Sequence, residues 1–367
     1  MTVLNKLRAI LTAVLFCGFL VFFLVAAILS PDKEYSAYER RPLRQAPVYE
    51  ESESLSAYFA DWETYLTDQF YLRDGFRFLK SGFASNIFLQ SDVNGYYSVG
   101  GSQAELLYPM NEETILQNVK LLESLRQTHF ANSSAYYAVI PDKSYYMGAA
   151  LGLDYGEIDR IFAETLDATA IPLSDSLTLF DYYNTDIHWK QENLKDVYET
   201  IRGKMGNHLP PFANGGYREQ SAGEFYGVLY GQAAMPAIRD EMRYLTNATI
   251  DGLKVSVIDT GKEGKIYDLE GFAGDDPYDL YLGGESAMIR IENPSAPSEK
   301  KLIIFRDSFG RSIAPLLAEG YSEIVLIDLR WIRSAFLTNF PDLIAADENT
   351  DVLFLYSAQV LNSMKLG

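Results

Sequence analysis

The sequence contains few of the residues that metal and redox chemistry require. Its 367 residues include one cysteine, Cys17, and three histidines, His129, His188 and His208. One cysteine excludes an intrachain disulfide framework and a thiolate metal cluster. The histidines do not cluster, and HExxH, CxxC and glycine-rich phosphate loops are absent. The sequence therefore predicts no metal and no cofactor.

Positive charge is also scarce. There are 31 Lys and Arg residues against 50 Asp and Glu, which gives a formal net charge of −19. Such a field repels nucleic acid, and no basic stripe offsets it, so we expect no nucleic-acid partner. Apolar residues make up 48% of the chain, enough for a sizeable core. The length allows one large domain with an insertion, or two modest domains.

The longest apolar run lies near the N-terminus. Ala9 to Leu29 is 21 residues without a charge, enough to cross a hydrocarbon core of roughly 30 Å. Lys6 and Arg8 precede it, which favours a cytoplasmic tip and a chain that continues outside the cell. We predict a signal anchor over 1–30 and a single-pass membrane protein whose bulk is extracytoplasmic. A signal peptide, cleaved near Ala27, is the alternative.

Beyond the anchor, residues 31–54 are polar and interrupted by proline, as in a stalk. Residues 55–367 are predicted to form one α/β domain, with a β or irregular insertion at about 207–300. Helical periodicity begins at about Leu55 and recurs at about 74–89 and 112–128.

Continuous apolar runs in the C-terminal part predict parallel strands that are buried on both faces. These strands alternate with helical patterns, which indicates a doubly wound sheet of about five mainly parallel strands. The predicted strands are 301–305, 322–328, 351–357, 135–141 and one near 169–173, and the predicted helices are 311–319 and 332–346.

Ser308 directly follows the apolar strand 301–305 and precedes a helix. In α/β proteins this edge of the sheet holds ligands. The N–H groups of Ser308, Phe309 or Gly310 could face an oxyanion there. The structural alternative is that Asp307 or Ser308 only caps the helix.

Asp186 and His188 could complete such a site. In an extended segment, residues two apart face the same way, so the carboxylate could hold Nδ1 and leave Nε2 as a base for a serine. A structural hydrogen bond is the alternative. Ser176 also follows an aspartate, but no glycine opens a helix after it, so we rank it below Ser308.

Several motifs carry a resemblance to the DHHW family of bacterial exported proteins, and more broadly to the SGNH-hydrolase-like domains of alginate O-acetylation proteins. The resemblance covers nearly all of the chain after the anchor. Its motifs are "ERRPL" (39–43), "YLTDQFYLRDGF" (65–76), "VIPDKSYYM" (139–147), "YYNTDIHW" (182–189), "FRDSFGRSIAPLL" (305–317) and "IDLRW" (327–331).

The resemblance implies a triad of Ser308, His188 and Asp186. Ile187 stands where the DHHW tetrad has its first histidine, and Arg306 where the usual block has glycine before Asp-Ser. The candidates for oxyanion or substrate contacts are Arg330, Gly284, Lys143 and Trp189.

The implied function is serine-dependent acyl transfer on a cell-surface glycan, in particular O-acetyl transfer through an acetyl-serine. A multi-span membrane O-acyltransferase would supply the acetyl group. Two alternatives are a carbohydrate acetylesterase with the same triad and a non-catalytic glycan-binding or scaffold protein of envelope assembly.

Overall fold

The protein is described by a computed structural model over residues 3–49, 54–148 and 152–367. The chain divides into two compact units, Met1–Val93 with Gly231–Met235, and Asn94–Tyr230 with Pro236–Gly367. The helices are α1 (Val3–Leu29), α2 (Leu55–Asp68), α3 (Arg73–Asn86), α4 (Glu112–His129), α5 (Tyr155–Thr165), α6 (Lys195–Met205), α7 (Val228–Ala233), α8 (Ala248–Asp251), α9 (Leu269–Phe272), α10 (Gly310–Leu317), α11 (Pro341–Ile344) and α12 (Ala358–Ser363). The strands are β1 (Tyr35–Ser36), β2 (Arg41–Pro42), β3 (Tyr96–Val99), β4 (Ser102–Glu105), β5 (Ser134–Ile140), β6 (Thr169–Ala170), β7 (Arg218–Phe225), β8 (Asp240–Thr246), β9 (Lys254–Val257), β10 (Lys262–Gly264), β11 (Met288–Glu292), β12 (Lys301–Arg306), β13 (Glu323–Ile327) and β14 (Thr350–Ser357).

The first unit contains α1, the one helix of the described residues that is long and apolar enough to cross a membrane. Helix α1 includes the whole apolar run from Ala9 to Leu29 that was predicted to span the membrane. The predicted stalk contains the short ladder of β1 with β2, and Arg41 binds the Asp68 carboxylate through two hydrogen bonds of 2.9 and 2.6 Å. These contacts order residues 35–44 beside α2. The predicted domain boundaries at 30 and 54 stay predictions.

The second unit contains a sheet of eight strands in the order β10-β9-β11-β13-β12-β14-β5-β6. The five strands from β13 to β6 are parallel. The other three are antiparallel and come from the region 207–300 that was predicted to be an insertion. The five predicted strands are the parallel ones, and the predicted number of about five is imprecise because the sheet contains three more. The alternating segments β9 and β11 continue the same sheet beyond β13 and are less completely buried than the parallel strands β12, β13 and β14, and β10 forms the edge on that side.

Helices cover both faces of this sheet because the side chains of each central strand alternate between them. Leu302 and Ile304 of β12 lie in one apolar core, and Ile303 and Phe305 lie in the other. Helices α6 and α10 contribute to the first core, while α4, α5 and α12 contribute to the second. The turn after β12 therefore projects from a sheet that is covered by packed helices on both faces.

Two predicted elements differ from the structure. The helix predicted over 332–346 is a 3₁₀ segment, Ser334–Asn339, followed by the single turn α11, because Pro341 begins a new helix. The strand predicted near 169–173 pairs over two residues only. The helix predicted at 311–319 is α10, which begins one residue earlier.

Candidate active site

Ser308 lies in the turn between β12 and α10 and is half-buried. The turn is shaped by the fully buried carboxylate of Asp307, which accepts hydrogen bonds from the N–H of Phe309 at 3.0 Å and of Ser357 at 2.7 Å. The second bond fastens the turn to the end of β14. Asp307 thus positions the turn, and the Ser308 hydroxyl remains available at the carboxyl edge of the sheet.

The structure brings Ser308, His188 and Asp186 into one hydrogen-bonded line. The Ser308 Oγ lies 2.7 Å from Nε2 of His188, and Nδ1 of His188 lies 2.6 Å from Oδ1 of Asp186. Asp186 and His188 are 1% and 6% exposed, respectively. This arrangement can deprotonate a serine hydroxyl while a buried carboxylate orients the imidazole.

Asp186 and His188 meet for a different reason from the one predicted. The segment 183–188 is a bent loop closed by a bridge between Tyr182 and Trp189, and it is not extended. Within the loop, Oδ1 of Asp186 accepts a hydrogen bond from the N–H of His188 at 3.1 Å as well as binding the ring. A local turn of the Asx kind therefore sets the pair, since Asp readily binds backbone N–H groups two residues on.

Asp240 of β8 fixes the beginning of this loop. Its carboxylate accepts hydrogen bonds from the N–H of Asn184 at 2.6 Å and from the N–H and hydroxyl of Thr185 at 2.7 and 2.6 Å. The other carboxylate oxygen of Asp186 accepts the N–H of Val228 at 3.2 Å. No local sequence signal indicates this role of Asp240, because it lies more than fifty residues from the loop that it binds.

Lys143 also holds the loop. Its ammonium group is buried and donates to the carbonyl oxygens of Tyr183, Asn184 and Asp186 at 2.5, 3.0 and 3.2 Å. Burial lowers the pKa of Lys143 to about 7, while the charges of Asp240 and Asp186 oppose that shift. Lys143 was predicted as a groove residue, and its observed contacts are with the backbone of the loop that carries Asp186.

Ser312, one helical turn after Ser308, joins three parts of the site. Its hydroxyl accepts hydrogen bonds from Nε1 of Trp189 at 2.7 Å and from the hydroxyl of Tyr278 at 2.8 Å, and it donates to the Phe309 carbonyl at 3.2 Å. Trp189 is fully buried and packs edge-on against Phe309. Trp189, which was predicted as a substrate contact, thus connects the histidine loop to the turn that carries Ser308.

Tyr278 forms one wall of the histidine site. Its ring is stacked on the His188 imidazole with centroids 3.7 Å apart and planes at 7°. The Arg311 guanidinium lies 5.3 Å from the Tyr278 ring, and it pairs with Asp279 at 2.9 Å. No sequence pattern links Tyr278 to the triad, whereas the i+4 spacing of Ser312 from Ser308 was a usable signal.

Arg306 stands where the resemblance implies glycine before Asp-Ser, and its side chain turns away from Ser308. Its side chain is buried and pairs with Asp328 at 2.9 Å, and it donates to the Ser286 carbonyl at 3.2 Å. A Cβ on Gly310 would lie 2.6 Å from the Arg306 Cβ. The glycine of this chain is therefore needed after the serine, where it makes room for the arginine stem.

The other predicted residues contact the scaffold. Arg330 binds the same Asp328 carboxylate at 2.7 and 2.9 Å. Gly284 is buried with a φ of +93°, and a Cβ there would lie 2.6 Å from the Asp279 carboxyl carbon. The Ser176 hydroxyl is bonded to Thr200 at 2.7 Å. An oxyanion or substrate role for Arg330 and Gly284 stays a prediction.

Only one of the predicted oxyanion N–H groups is available. The N–H of Phe309 binds the Asp307 carboxylate, and the N–H of Gly310 binds the Asp307 carbonyl at 3.2 Å. The N–H of Ser308 has no acceptor within the described part of the chain. It lies next to the N-terminus of α10, whose dipole favours negative charge. The described residues include no cluster of metal-binding side chains.

Together, fold and site define an α/β protein with a serine, histidine and aspartate aligned at the carboxyl edge of its sheet. Solved structures share this fold. A DHHW family protein from Eubacterium siraeum is 16% identical, with a TM-score of 0.59, over 74% of this chain and 94% of its own. Bacillus cereus PatB1, in a structure with a sulfonyl adduct, is 21% identical, with a TM-score of 0.58, over 74% of this chain and 98% of its own.

The O-acetyltransferase domain of Pseudomonas putida AlgJ is 11% identical, with a TM-score of 0.44, over 74% of this chain and 93% of its own. No family model and no curated protein matches the sequence. The predicted resemblance to the DHHW proteins is confirmed at the level of the fold.

Proposed function

We propose that the protein is a serine-dependent acyltransferase, and in particular that it transfers acetyl groups to hydroxyls of a cell-surface polysaccharide. One observation carries the proposal. A serine hydroxyl, an imidazole and a buried carboxylate form an unbroken hydrogen-bonded line, with distances of 2.7 and 2.6 Å. That line supplies what a serine needs to act as a nucleophile at neutral pH.

In the first half-reaction, the Ser308 Oγ attacks the acetyl carbonyl while His188 Nε2 takes the hydroxyl proton. Asp186 stabilises the imidazolium, and the free N–H of Ser308 faces the developing oxyanion. The carbon–oxygen bond to the donor then breaks, and the proton on His188 goes to the departing oxygen. The product is acetyl-Ser308.

In the second half-reaction, a sugar hydroxyl attacks the acetyl-serine. His188 takes the proton of that hydroxyl and returns it to Ser308 Oγ, so the enzyme is regenerated and an O-acetyl sugar leaves. If water took the place of the sugar, the same residues would give an acetylesterase, because the two reactions differ only in which hydroxyl reaches the intermediate.

The location supports a surface substrate. Helix α1 would hold the chain in the cell membrane as a single-pass protein with its bulk outside the cytoplasm. The sequence resemblance to alginate O-acetylation proteins suggests the glycan acceptor. It also suggests a multi-span membrane O-acyltransferase as the partner that delivers the acetyl group.

The test uses the full chain in detergent, a chromogenic acetyl ester as donor, and a panel of oligosaccharides as acceptors. Ser308→Ala should lower turnover by about a thousandfold or more, since removal of a triad nucleophile leaves only binding and oxyanion stabilisation. Ser176→Ala is the matched control and should keep full turnover. Unchanged turnover in Ser308→Ala would remove the proposed nucleophile.

Mass spectrometry of the acceptor separates the reactions. An acetylated oligosaccharide supports transfer, whereas acetate released at the same rate with and without acceptor would support the esterase. A sulfonyl fluoride gives a second readout, chosen because PatB1 carries a sulfonyl adduct. It should modify the Ser308 peptide of the native chain and of Ser176→Ala, and absence of both labelling and turnover would favour a non-catalytic glycan-binding protein.

A further inference from the structure

Helix α3 exposes an apolar stripe along its whole length. Phe76, Leu79 and Phe83 of the helix and Ile87, its C-cap residue, recur at spacings of three and four residues, so they share one face. Their exposed fractions are 38%, 54%, 45% and 61%. Phe88 continues the stripe just beyond the helix and is 70% exposed. Contiguous exposed apolar residues of this kind mark a surface that contacts another apolar phase or molecule.

The opposite face of α3 is hydrogen-bonded to the backbone of residues 231–233. Arg77 donates to the carbonyl oxygens of Gly231 and Gln232 at 2.8 and 2.9 Å, and Ser81 donates to the Ala233 carbonyl at 3.1 Å. These bonds fix the rotation of the helix about its own axis. The apolar stripe therefore faces outward because the polar side of α3 is engaged.

The stripe is continuous with the membrane-spanning candidate α1. The Phe23 ring stacks on Phe70 at 5.2 Å and meets Phe76 edge-on at 5.6 Å. Phe22 lies 6.2 Å from the Tyr71 ring. Aromatic contacts thus join α1 to the turn before α3 and to the first residue of the stripe.

The position of Phe23 along α1 gives the depth of this contact. Phe23 precedes Leu29, the last residue of α1, by six positions, which is about 9 Å at 1.5 Å per residue. Helices that lie in a membrane interface bury their apolar face by roughly 5–10 Å at the headgroup boundary. If α1 spans a bilayer, the side chains that pack on Phe23 lie within this layer.

We propose that α3 lies in the interfacial layer of the membrane that α1 crosses, with Phe76, Leu79, Phe83 and Ile87 against the acyl chains. The occupant of the stripe is the lipid surface itself. This inference rests on the proposed anchor. It adds a second attachment, by which the first unit is held against the membrane instead of hanging from a single helix.

The experiment uses the full chain in phosphatidylcholine nanodiscs and an environment-sensitive fluorophore on one cysteine. Cys17, the only cysteine of the sequence, reports on α1. In a Cys17→Ser background, Phe83→Cys and Leu79→Cys report on the stripe. Glu63→Cys, at an exposed position of α2, is the matched control. Lipids brominated near the carbonyl end or in the middle of the acyl chain act as quenchers.

We expect the Cys17 label to lose fluorescence with mid-chain bromine. The labels at 83 and 79 should lose it with bromine near the carbonyl end, and the label at 63 should be little affected. Each variant must show the thermal unfolding of the native chain, and two stripe positions guard against one variant that misfolds.

Two outcomes overturn the proposal in different ways. Quenching at Cys17 without quenching at 83 and 79 would leave the anchor intact and show that the stripe is outside the lipid. A photo-crosslink from position 83 to a second copy would then identify a dimer contact. A Cys17 label that no bromine quenches would refute the anchor, and this inference with it, whatever the acyl-transfer assay shows.

Discussion

Ser312 shows how one small residue can organise a site it does not act in. Its buried hydroxyl binds Trp189 from the histidine loop, Tyr278 from the 3₁₀ segment Pro277–Leu280 and the Phe309 carbonyl from the turn after β12. Buried hydrogen-bond networks of this kind strengthen one another and specify a single arrangement when every member is satisfied. The distance between Ser308 and His188 is therefore set partly by a neighbouring serine.

Tyr278 offers a test of this organisation. Tyr278→Phe keeps the ring that stacks on His188 and loses the bond to Ser312, so we expect kcat to fall by about tenfold or less. Tyr278→Leu also removes the flat wall of the imidazole, and kcat should fall by about tenfold to a hundredfold, with KM little changed. The measurement is steady-state turnover of the acetyl ester.

If Tyr278→Phe keeps most of the turnover that Tyr278→Leu loses, the aromatic ring against His188 is what matters. Equal losses in both variants would instead assign the effect to the hydroxyl. A rise in KM with constant kcat would contradict a role through His188, since the residue would then act on substrate binding.

At the scale of elements, the loop with the triad aspartate depends on a close approach by the segment before α7. Gly227 donates its N–H to the Thr185 hydroxyl at 2.8 Å. A Cβ on Gly227 would lie 2.6 Å from the Asp186 Cα and closer still to the Asp186 Cβ. Two backbones therefore touch at this point, which only glycine permits.

Gly227→Ala should displace the Asp186 loop. We expect the free energy of unfolding to fall by about 1–3 kcal/mol, the usual cost of overpacking. Turnover should also fall in the fraction that stays folded, because the Asp186 carboxylate is displaced. Gly203→Ala is the control, because nothing lies within 4 Å of a Cβ there and the residue is in α6. Alanine at 203 should stabilise the chain by about 0.5–1 kcal/mol.

Chemical denaturation and the acetyl-ester assay measure both effects. A Gly227→Ala chain with native stability and native turnover would show that the loop can yield without moving the carboxylate.

The sequence could predict the strands that are buried on both faces, because they appear as continuous apolar runs. Apolar runs such as β12 and β14 are recognisable because both of their faces are buried. The antiparallel strands β9 and β11 alternate in character, and a local pattern cannot say which sheet they join. For the same reason the triad residues could be proposed from their types and order, whereas Tyr278 and Asp240 could not. They reach the site only through the tertiary fold.

For the molecule as a whole, the net charge of −19 would affect which glycans can approach the proposed active site. An anionic oligosaccharide is repelled over the Debye length, about 10 Å at 0.1 M salt and about 3 Å at 1 M. We expect transfer to an anionic acceptor to rise with ionic strength, while transfer to a neutral acceptor of the same length stays nearly constant. Initial rates across a salt series measure this.

Hydrolysis of a neutral acetyl ester without acceptor serves as the control for direct salt effects on the triad. An anionic acceptor whose rate falls with added salt would contradict the expectation and would indicate a local cationic subsite that outweighs the overall field.

β14 has a consequence for the order in which the proposed active site can form. It is the latest strand in the sequence, yet it lies between β12 and β5 and donates the Ser357 N–H to the Asp307 carboxylate. A chain emerges from the ribosome in sequence order. While residues 350–357 are still being made, the centre of the sheet has a gap and the nucleophile turn lacks one of its two anchors. The proposed active site therefore cannot be completed before residues 350–357 have left the ribosome, however early the residues of the proposed triad are made.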